Sequence, residues 1–455
     1  MNNSKLSIWS LLCLVGVAVV LIAITLFSLS AAIQAACIVG LTIVLWASGA
    51  LPQWFTALLF FVLCAIADIV EPQVFLSGMF SPAMWLLVAG SVIGLAIKHT
   101  GLGERLASFI VPLMTSYRRA LLGSASLGLI FVFLVPSAMG RIAVLLPILL
   151  PLSEQLGYKD NTRARNGIVL AAVLSTFLPA FTVLPANVPN NILLGMVKML
   201  FAETPTYAGY LWLHFPVLGL LKTALIVMVL MVFYRADSPR PVKQNLPKLS
   251  CQEKRLLAVL MLTLFLWISE PWHGVDTAWV AMIGAMLCLL PGLQLTPKKP
   301  LQALNNETFF YIAAIVGLGV VVYHSGLATL IADASLRLLP LSPHHQATNF
   351  SVLSLLATLL SMLVALPGVP AILTPMTADF ANLSGWPSYA VYMTQVIGFS
   401  TVLFPYQAPP LVLAMQMGKI PLRDMLSVLL PLTLLTVAIL WPLDYLWWSL
   451  VGVLP

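Results

Sequence analysis

Apolar stretches of about 20 residues recur along the whole chain, each long enough to cross the hydrocarbon core of a bilayer. Backbone inside that core must satisfy its own hydrogen bonds, which leaves α-helices and closed β-barrels as the available folds. Barrel strands alternate apolar and polar residues, whereas the run 8–29 is apolar almost without interruption. The expected fold class is an all-α polytopic membrane protein. Composition agrees: 60% of the 455 residues are AVILMFWYC and 8% are charged, against roughly a quarter charged in soluble domains. The run 8–29 exceeds the ~7–15 residues of a signal-peptide core, so it reads as a retained first span. Four of the five cysteines (Cys13, Cys37, Cys64, Cys251, Cys288) lie inside apolar spans, without CxxC or metal-ligand spacing, and read as packing residues. The net charge of +7 comes from basic residues between spans. It reports topology, and no nucleic-acid partner is expected.

Spans are expected near 8–29, 31–51, 53–70, 82–99, 165–200, 208–234, 255–270, 276–294, 308–324, 388–418 and 425–452, with a short amphipathic stretch at 103–115. Two further apolar segments, 120–152 and 350–378, carry breakers at mid-depth: Pro136 with Gly140 in the first, and Pro367-Gly368-Val369-Pro370 in the second. Such a pattern fits a re-entrant hairpin whose two ends return to one side. Treating both as hairpins leaves 11 crossings, and with the N-terminus inside, 18 of the 22 Lys and Arg residues become cytoplasmic, as the positive-inside rule requires. Lys198 and Arg337 fall outside, and Arg141 and Lys222 lie at membrane depth. A crossing in place of the first hairpin would put Lys159, Arg163 and Arg165 opposite Arg118 and Arg119. The basic stretch 235–254 is the one substantial hydrophilic linker. It divides the chain into an N-terminal half, 1–234, and a C-terminal half, 255–455.

The second half echoes the first. Gly94-Leu95, His99 and Gly101-Leu102 match Gly319-Val320, His324 and Gly326-Leu327; Gly140, Ala143, Leu145 and Pro147 match Gly368, Ala371, Leu373 and Pro375. Leu184-Pro185-Ala186-Asn187-Val188-Pro189 resembles Phe404-Pro405-Tyr406-Gln407-Ala408-Pro409. Offsets of 220 to 228 in one order mark an internal repeat. The charge-derived topology inverts one copy in the membrane, the architecture of secondary transporters. A broken helix frees backbone groups that lipid cannot satisfy, so both hairpin tips and both Pro-broken crossings should converge on one site near the midplane.

Arg141 is the sharpest single signal. A charge at membrane depth is costly, and this one follows a helix break, where free N–H groups already favour an anion. Its forked guanidinium suits carboxylate, sulfate or phosphate. The expected substrate-binding set is Ser137, Ala138, Met139, Gly140 and Arg141 at the first tip; Asn187 and Asn190 at the first break; Pro367, Gly368 and Val369 at the second tip; and Gln407, Ala408 and Pro409 at the second break. Asn187, Asn190 and Asn191 suit either a ligand or the repair of broken backbone. Lys222 suits a scaffold carbonyl better than substrate, and Asp68, Asp379 and Asp444 read as residues near span ends. His99 and His324 read as a shared structural turn, and His344-His345 is too little for a metal site. No metal ligand set, cofactor site or catalytic residue is expected. HExxH, GxSxG, Walker A and GxGxxG are missing, which argues against an enzyme or an ATP-driven pump.

Two hairpins, each rising to a breaker and descending to a proline ten residues later, with two crossings broken at x-x-Pro-x, resemble the divalent anion:sodium symporter family of the ion transporter superfamily. In that family each tip carries Ser-Asn-Thr followed by a pattern like A-T-A-A-x-x-L-P, and the crossings break at Thr-Pro-Pro-Asn. The tip triplets align with Ser137-Ala138-Met139 and Ala365-Leu366-Pro367, and the breaks with Asn187-Val188-Pro189-Asn190 and Ala408-Pro409-Pro410-Leu411. Only Ser137 of the tip motif is kept, both tip Asn are absent, and Arg141 stands where the family has the Thr of A-T. The resemblance implies a homodimer that carries its substrate by elevator-like movement of the hairpins against a scaffold. It also implies tips that bind sodium through Asn and neighbouring carbonyls. With those Asn lost and a cation built in, the expected function is a secondary transporter of a small anion, carboxylate or oxyanion, without sodium coupling, in the cytoplasmic (inner) membrane with the C-terminus outside. A sodium-coupled di- or tricarboxylate or sulfate symporter is the alternative. A polytopic enzyme or receptor would move no anion.

Cysteines introduced singly at Ser116 and Ser153 are expected to react with a membrane-impermeant thiol reagent from the same, cytoplasmic side. Opposite accessibility would remove the first hairpin.

Overall fold

A computed structural model describes residues 29–160, 162–202, 205–240, 248–304, 307–336 and 339–455. The expected first span, 8–29, lies outside the described residues except for its last residue. Every regular element among the described residues is helical, and the chain is a multi-pass integral membrane protein. Its first half holds α1 (Ala31–Ser48), α2 (Gln53–Ala67), α3 (Pro82–Thr100), α4 (Leu102–Ile110), α5 (Tyr117–Leu134), α6 (Ala138–Gln155), α7 (Arg163–Phe177), α8 (Val188–Phe201) and α9 (Tyr207–Phe233). The second half holds α10 (Cys251–Ile268), α11 (Thr277–Leu289), α12 (Glu307–His324), α13 (Leu327–Leu336), α14 (Gln346–Leu363), α15 (Gly368–Leu373), α16 (Thr377–Ser384), α17 (Ser388–Phe399), α18 (Pro409–Gly418) and α19 (Leu422–Leu450).

Local chemistry sets many of these ends. Ser116, Ser137 and Thr162 cap α5, α6 and α7 by accepting backbone N–H groups three residues on, as N-cap hydroxyls do. Ser250 and Glu253 form a reciprocal capping box on α10. Between helices, Val62, Phe265 and Leu434 are among the large apolar side chains left on the outer surface, where a bilayer covers them.

Both interrupted segments fold back on themselves. Tyr117, which begins α5, stacks edge-on against Tyr158 just beyond α6, with ring centroids 5.5 Å apart. In the second segment Asn349 Nδ2, in the first turn of α14, donates to the carbonyl of Ser384 at the end of α16 (3.2 Å), and Trp386 Nε1 donates to Gln346 Oε1. Each hairpin therefore has its base at one end and its tip at the other. The bases are opposed, as α19 shows. Asp424 in its first turn accepts from Asn166 Nδ2 beside the first base (2.8 Å), while Trp448 near its last turn packs on Phe350 beside the second base (5.5 Å). Between those two residues run 24 helical positions, about 36 Å at 1.5 Å per residue, enough to separate the bases by a membrane's thickness.

Helix pairings recur between the halves. The first arm of each hairpin lies on the following broken helix, α5 on α7 and α14 on α17. The continuation of each broken helix reaches the opposite hairpin, α8 to α15 and α18 to α6. Among the other helices α1 packs on α2 as α10 packs on α11, and α2 on α12 as α11 on α3. Glycine allows the two arm contacts: a Cβ at Gly128 would stand 2.4 Å from the Ala172 carbonyl oxygen, and one at Gly398 2.2 Å from the Ala357 Cβ. Backbones this close gain dispersion energy that lipid-facing side chains cannot supply.

The four ion pairs among the described residues are Arg105–Glu253, Arg165–Asp160, Lys419–Asp160 and Lys198–Asp276. Each joins residues that the Lys/Arg count assigns to one side. Hydrogen bonding to Arg105 holds the Glu253 carboxyl below its ordinary range, and the same guanidinium donates to the Lys248 carbonyl. The far end of the basic linker is thus tied to α4.

Candidate functional site

The two tips and the two breaks meet around one cavity of about 260 Å³, the liquid volume of roughly nine water molecules. Its wall takes Ser137, Ala138 and Met139 from the first tip, Ala365, Leu366 and Pro367 from the second, Asn187, Val188 and Pro189 from the first break, and Gln407, Ala408, Pro409 and Pro410 from the second. Three helices of ten or more residues, α6, α8 and α18, start at wall residues Ala138, Val188 and Pro409. Each turns the positive end of its dipole toward the space, and among the described residues no acidic side chain lines it. The arrangement favours an anion.

Arg141 does not line this cavity. Expected in the substrate-binding set, it is instead buried, with 0% of its surface exposed. Its guanidinium spans three strands of broken backbone instead. Nη1 donates to the carbonyls of Val135 at the tip (2.7 Å) and Ala186 at the break (2.8 Å), and Nε to Thr176 in the last turn of α7 (3.1 Å). The direction follows from helix geometry: side chains lean toward the helix N-terminus, so a residue in the first turn of α6 reaches behind the tip rather than into the space ahead of it. None of the described carboxylates pairs with Arg141, so its positive charge is left beneath the tip without a counter-ion.

The remaining expected residues divide between wall and support. Asn187 is on the wall. Its Oδ1 accepts the Val188 N–H (3.2 Å), and its buried Nδ2 has no partner among the described residues. Asn190 Nδ2 donates to the Ala180 and Val183 carbonyls (3.0 and 2.9 Å), repairing the interruption between α7 and α8. Gln407 does the same for the second break: its Oε1 accepts from Leu403 and Phe404, its Nε2 donates to Ser361 Oγ, and its carbonyl accepts the Leu366 N–H of the second tip (3.2 Å). Gly140 sits behind Ser137, whose Oγ takes its N–H. Val369 is fully buried, and Gly368 lines a separate small crevice with Trp46 and Tyr311.

Lys222 is likewise placed on backbone, its Nζ donating to the carbonyl of Ser400 at the end of α17 (2.8 Å). Asp444, read from sequence as a residue near a span end, is instead fully buried, and it is the acidic group whose field acts on Lys222. Both residues follow wide π-helical turns at matching places in the repeat, Phe215–Leu221 in α9 and Thr436–Leu440 in α19. Eleven wall residues lie outside the expected binding set: Val188, Pro189, Ala365, Leu366 and Pro410, within the tips and breaks already singled out, and Gln53, Leu87, Ser91, Phe177, Thr308 and Tyr311, which no motif marked. The last six belong to unbroken stretches of α2, α3 and α12 or to the last position of α7, where the polar side chains of Gln53, Ser91 and Thr308 are only a weak signal.

A profile described as the sodium:sulfate symporter transmembrane region matches residues 5–454. The chain belongs to this family. Among its relatives, the L-tartrate/succinate antiporter of Escherichia coli is 24% identical over 385 residues, covering 76% of this chain and 74% of the antiporter. Inner membrane protein YbhI of the same organism is 22% identical over 400 residues, covering 82% of each. A Cupriavidus necator membrane protein is 22% identical over 392 residues, 83% of this chain and 76% of that one. The crystal structure of the Alcanivorax borkumensis YdaH transporter shares the fold, with a TM-score of 0.60 at 16% identity over 84% of this chain and 89% of that one. Family membership makes this chain an anion transporter by descent, and the site shows where this member's backbone is held by its own cation.

Replacing Arg141 by Ala leaves three buried carbonyls short of a donor, so the variant is expected to lose at least about 2 kcal/mol of stability, read as a lowered thermal midpoint in detergent. Arg141→Lys keeps the charge but not the fork and should recover part of the loss. An alanine variant as stable as wild type would deny the clamp.

Proposed function

We propose that the chain is a secondary transporter of a small anion, working by elevator-type alternating access and without sodium. The observation that supports this most directly is the convergence of both tips and both breaks on one cavity faced by helix N-termini, with an uncompensated guanidinium beneath one tip. Arg141 bridges tip, break and half-helix end through carbonyl oxygens alone, the hard ligands a bound cation would use. A sodium ion 4 Å from it would meet about 4 kcal/mol of repulsion at an effective dielectric near 20. At the second tip the Leu366–Gln407 hydrogen bond closes the corresponding gap.

The moving unit in this reading comprises both hairpins, α7 to α9 and α17 to α19, which pack on one another in repeat-related pairs. Helices α1 to α3 and α10 to α12 form the scaffold and the homodimer contact. The whole chain is built from residues 1–234 and 255–455 in inverted copies joined by 235–254, with the N-terminus cytoplasmic and the C-terminus outside in the inner membrane. Gln53 and Thr308, at the starts of α2 and α12, line the cavity on the side that the Lys/Arg count makes cytoplasmic, so the conformation is inward-facing. The kinship with an L-tartrate/succinate antiporter supports exchange of one organic anion for another.

The test is counterflow in proteoliposomes: purified protein, sodium-free buffer, and a panel of labelled carboxylates, sulfonates and sulfate, each against its unlabelled form inside. At least one anion should accumulate transiently above protein-free vesicles. No movement of any member would contradict the proposal.

A further inference from the structure

The two ends of the cavity are not chemically alike, although the fold that makes them is repeated. At the first tip Ser137 takes the Gly140 N–H on its side chain and the Arg141 N–H on its carbonyl, leaving the first two N–H groups of α6, those of Ala138 and Met139, with no acceptor among the described residues. Asn187 Nδ2, buried and unpartnered, is on the same wall. Ser91 adds a hydroxyl there, since its neighbour Gly90 lies against Pro136. The Arg141 charge sits behind this end without a counter-ion.

The second tip offers none of this. Its Leu366, Gly368 and Val369 N–H groups are all taken by protein carbonyls, and Pro367 has none to give. Pro409 and Pro410 remove the first two donors of α18, and the Gln407 side chain gives its oxygen to two backbone N–H groups and one of its two N–H donors to Ser361. The second buried cation, Lys222, donates to the Ser400 carbonyl and feels the field of Asp444. Beside Gln407, this tip and break present Ala365, Leu366, Pro367, Ala408 and the two prolines, and Gln53, Thr308 and Tyr311 add neutral side chains elsewhere on the wall.

We infer that the site takes an organic monoanion, its single acid group seated on the Ala138 and Met139 N–H groups and Asn187, and its hydrocarbon body, aliphatic or aromatic, lying against the second tip. A second carboxylate would lie against a tip and a helix start with no free backbone N–H, left to neutral side chains alone, a costly setting for a charge. This inference rests on the anion site proposed above and narrows it to a class distinct from tartrate and succinate, the substrates in the name of one relative.

Binding to the purified full-length protein, measured by calorimetric titration at neutral pH, separates the classes without a transport assay. Benzoate or hexanoate should bind at least about tenfold more tightly than succinate or L-tartrate, the scale of a missing charged hydrogen bond. Asn187→Leu should weaken the monocarboxylate by a similar factor, and Leu366→Asn, which restores an amide at the apolar end, should narrow the preference. Tighter binding of succinate or L-tartrate, or binding of none of the four, would overturn the inference. In either case counterflow separately decides whether the protein is an anion transporter. If Leu366→Asn does not fold, the wild-type ranking and Asn187→Leu still decide.

Discussion

Backbone broken inside a membrane must find partners within the protein, and the Arg141 guanidinium meets that demand where it is greatest. Three carbonyls from the tip, the break and the end of α7 converge on it. Lipid offers them nothing. An inserted arginine is costly, but here the cost is offset by three carbonyl acceptors at broken backbone ends. The two features stabilise each other: the breaks create the acceptors, and the cation holds the broken pieces in one geometry. Asn190, in the first turn of α8, adds to the repair by donating to the Ala180 and Val183 carbonyls.

In the second half the same demand is met differently. Gln407 caps its own break through its side-chain oxygen and joins it to the tip through its carbonyl, and Lys222 takes the end of α17. Repeat symmetry thus holds for the helix pairings and lapses in the chemistry. One end of the cavity keeps spare backbone donors with a guanidinium behind them, while the other has consumed its backbone donors. A pseudo-symmetric transporter fold with an asymmetric site can distinguish the two ends of its ligand.

Much of the architecture was legible because breaks, spans and charges are periodic features of sequence. Pro136 with Gly140 and Pro367-Gly368 marked the tips, and the basic residues fixed which hairpin ends share a side. The prolines at 185, 189, 405 and 409 located the crossing breaks that share the cavity wall with the tips. Direction was harder to read. Membrane depth says that Arg141 must be satisfied but not by what, and a side chain leaning back along its helix serves backbone while a forward one would serve ligand. Asp444 was misplaced for a related reason. Its position near a span end suggested an interface, but its field partner Lys222 is 222 residues away, and only packing brings them together. The wall residues of α2, α3 and α12 gave little sign because unbroken apolar helices look alike whichever face meets the site.

If a tethered guanidinium stands where a mobile cation would otherwise be needed, transport requires no sodium. The deciding measurement is the initial rate of anion uptake against external sodium, at fixed pH and membrane potential, with choline or potassium in replacement. The rate should not change with sodium. A saturable, sigmoidal rise that neither choline nor potassium reproduces would show that sodium is still the coupling ion.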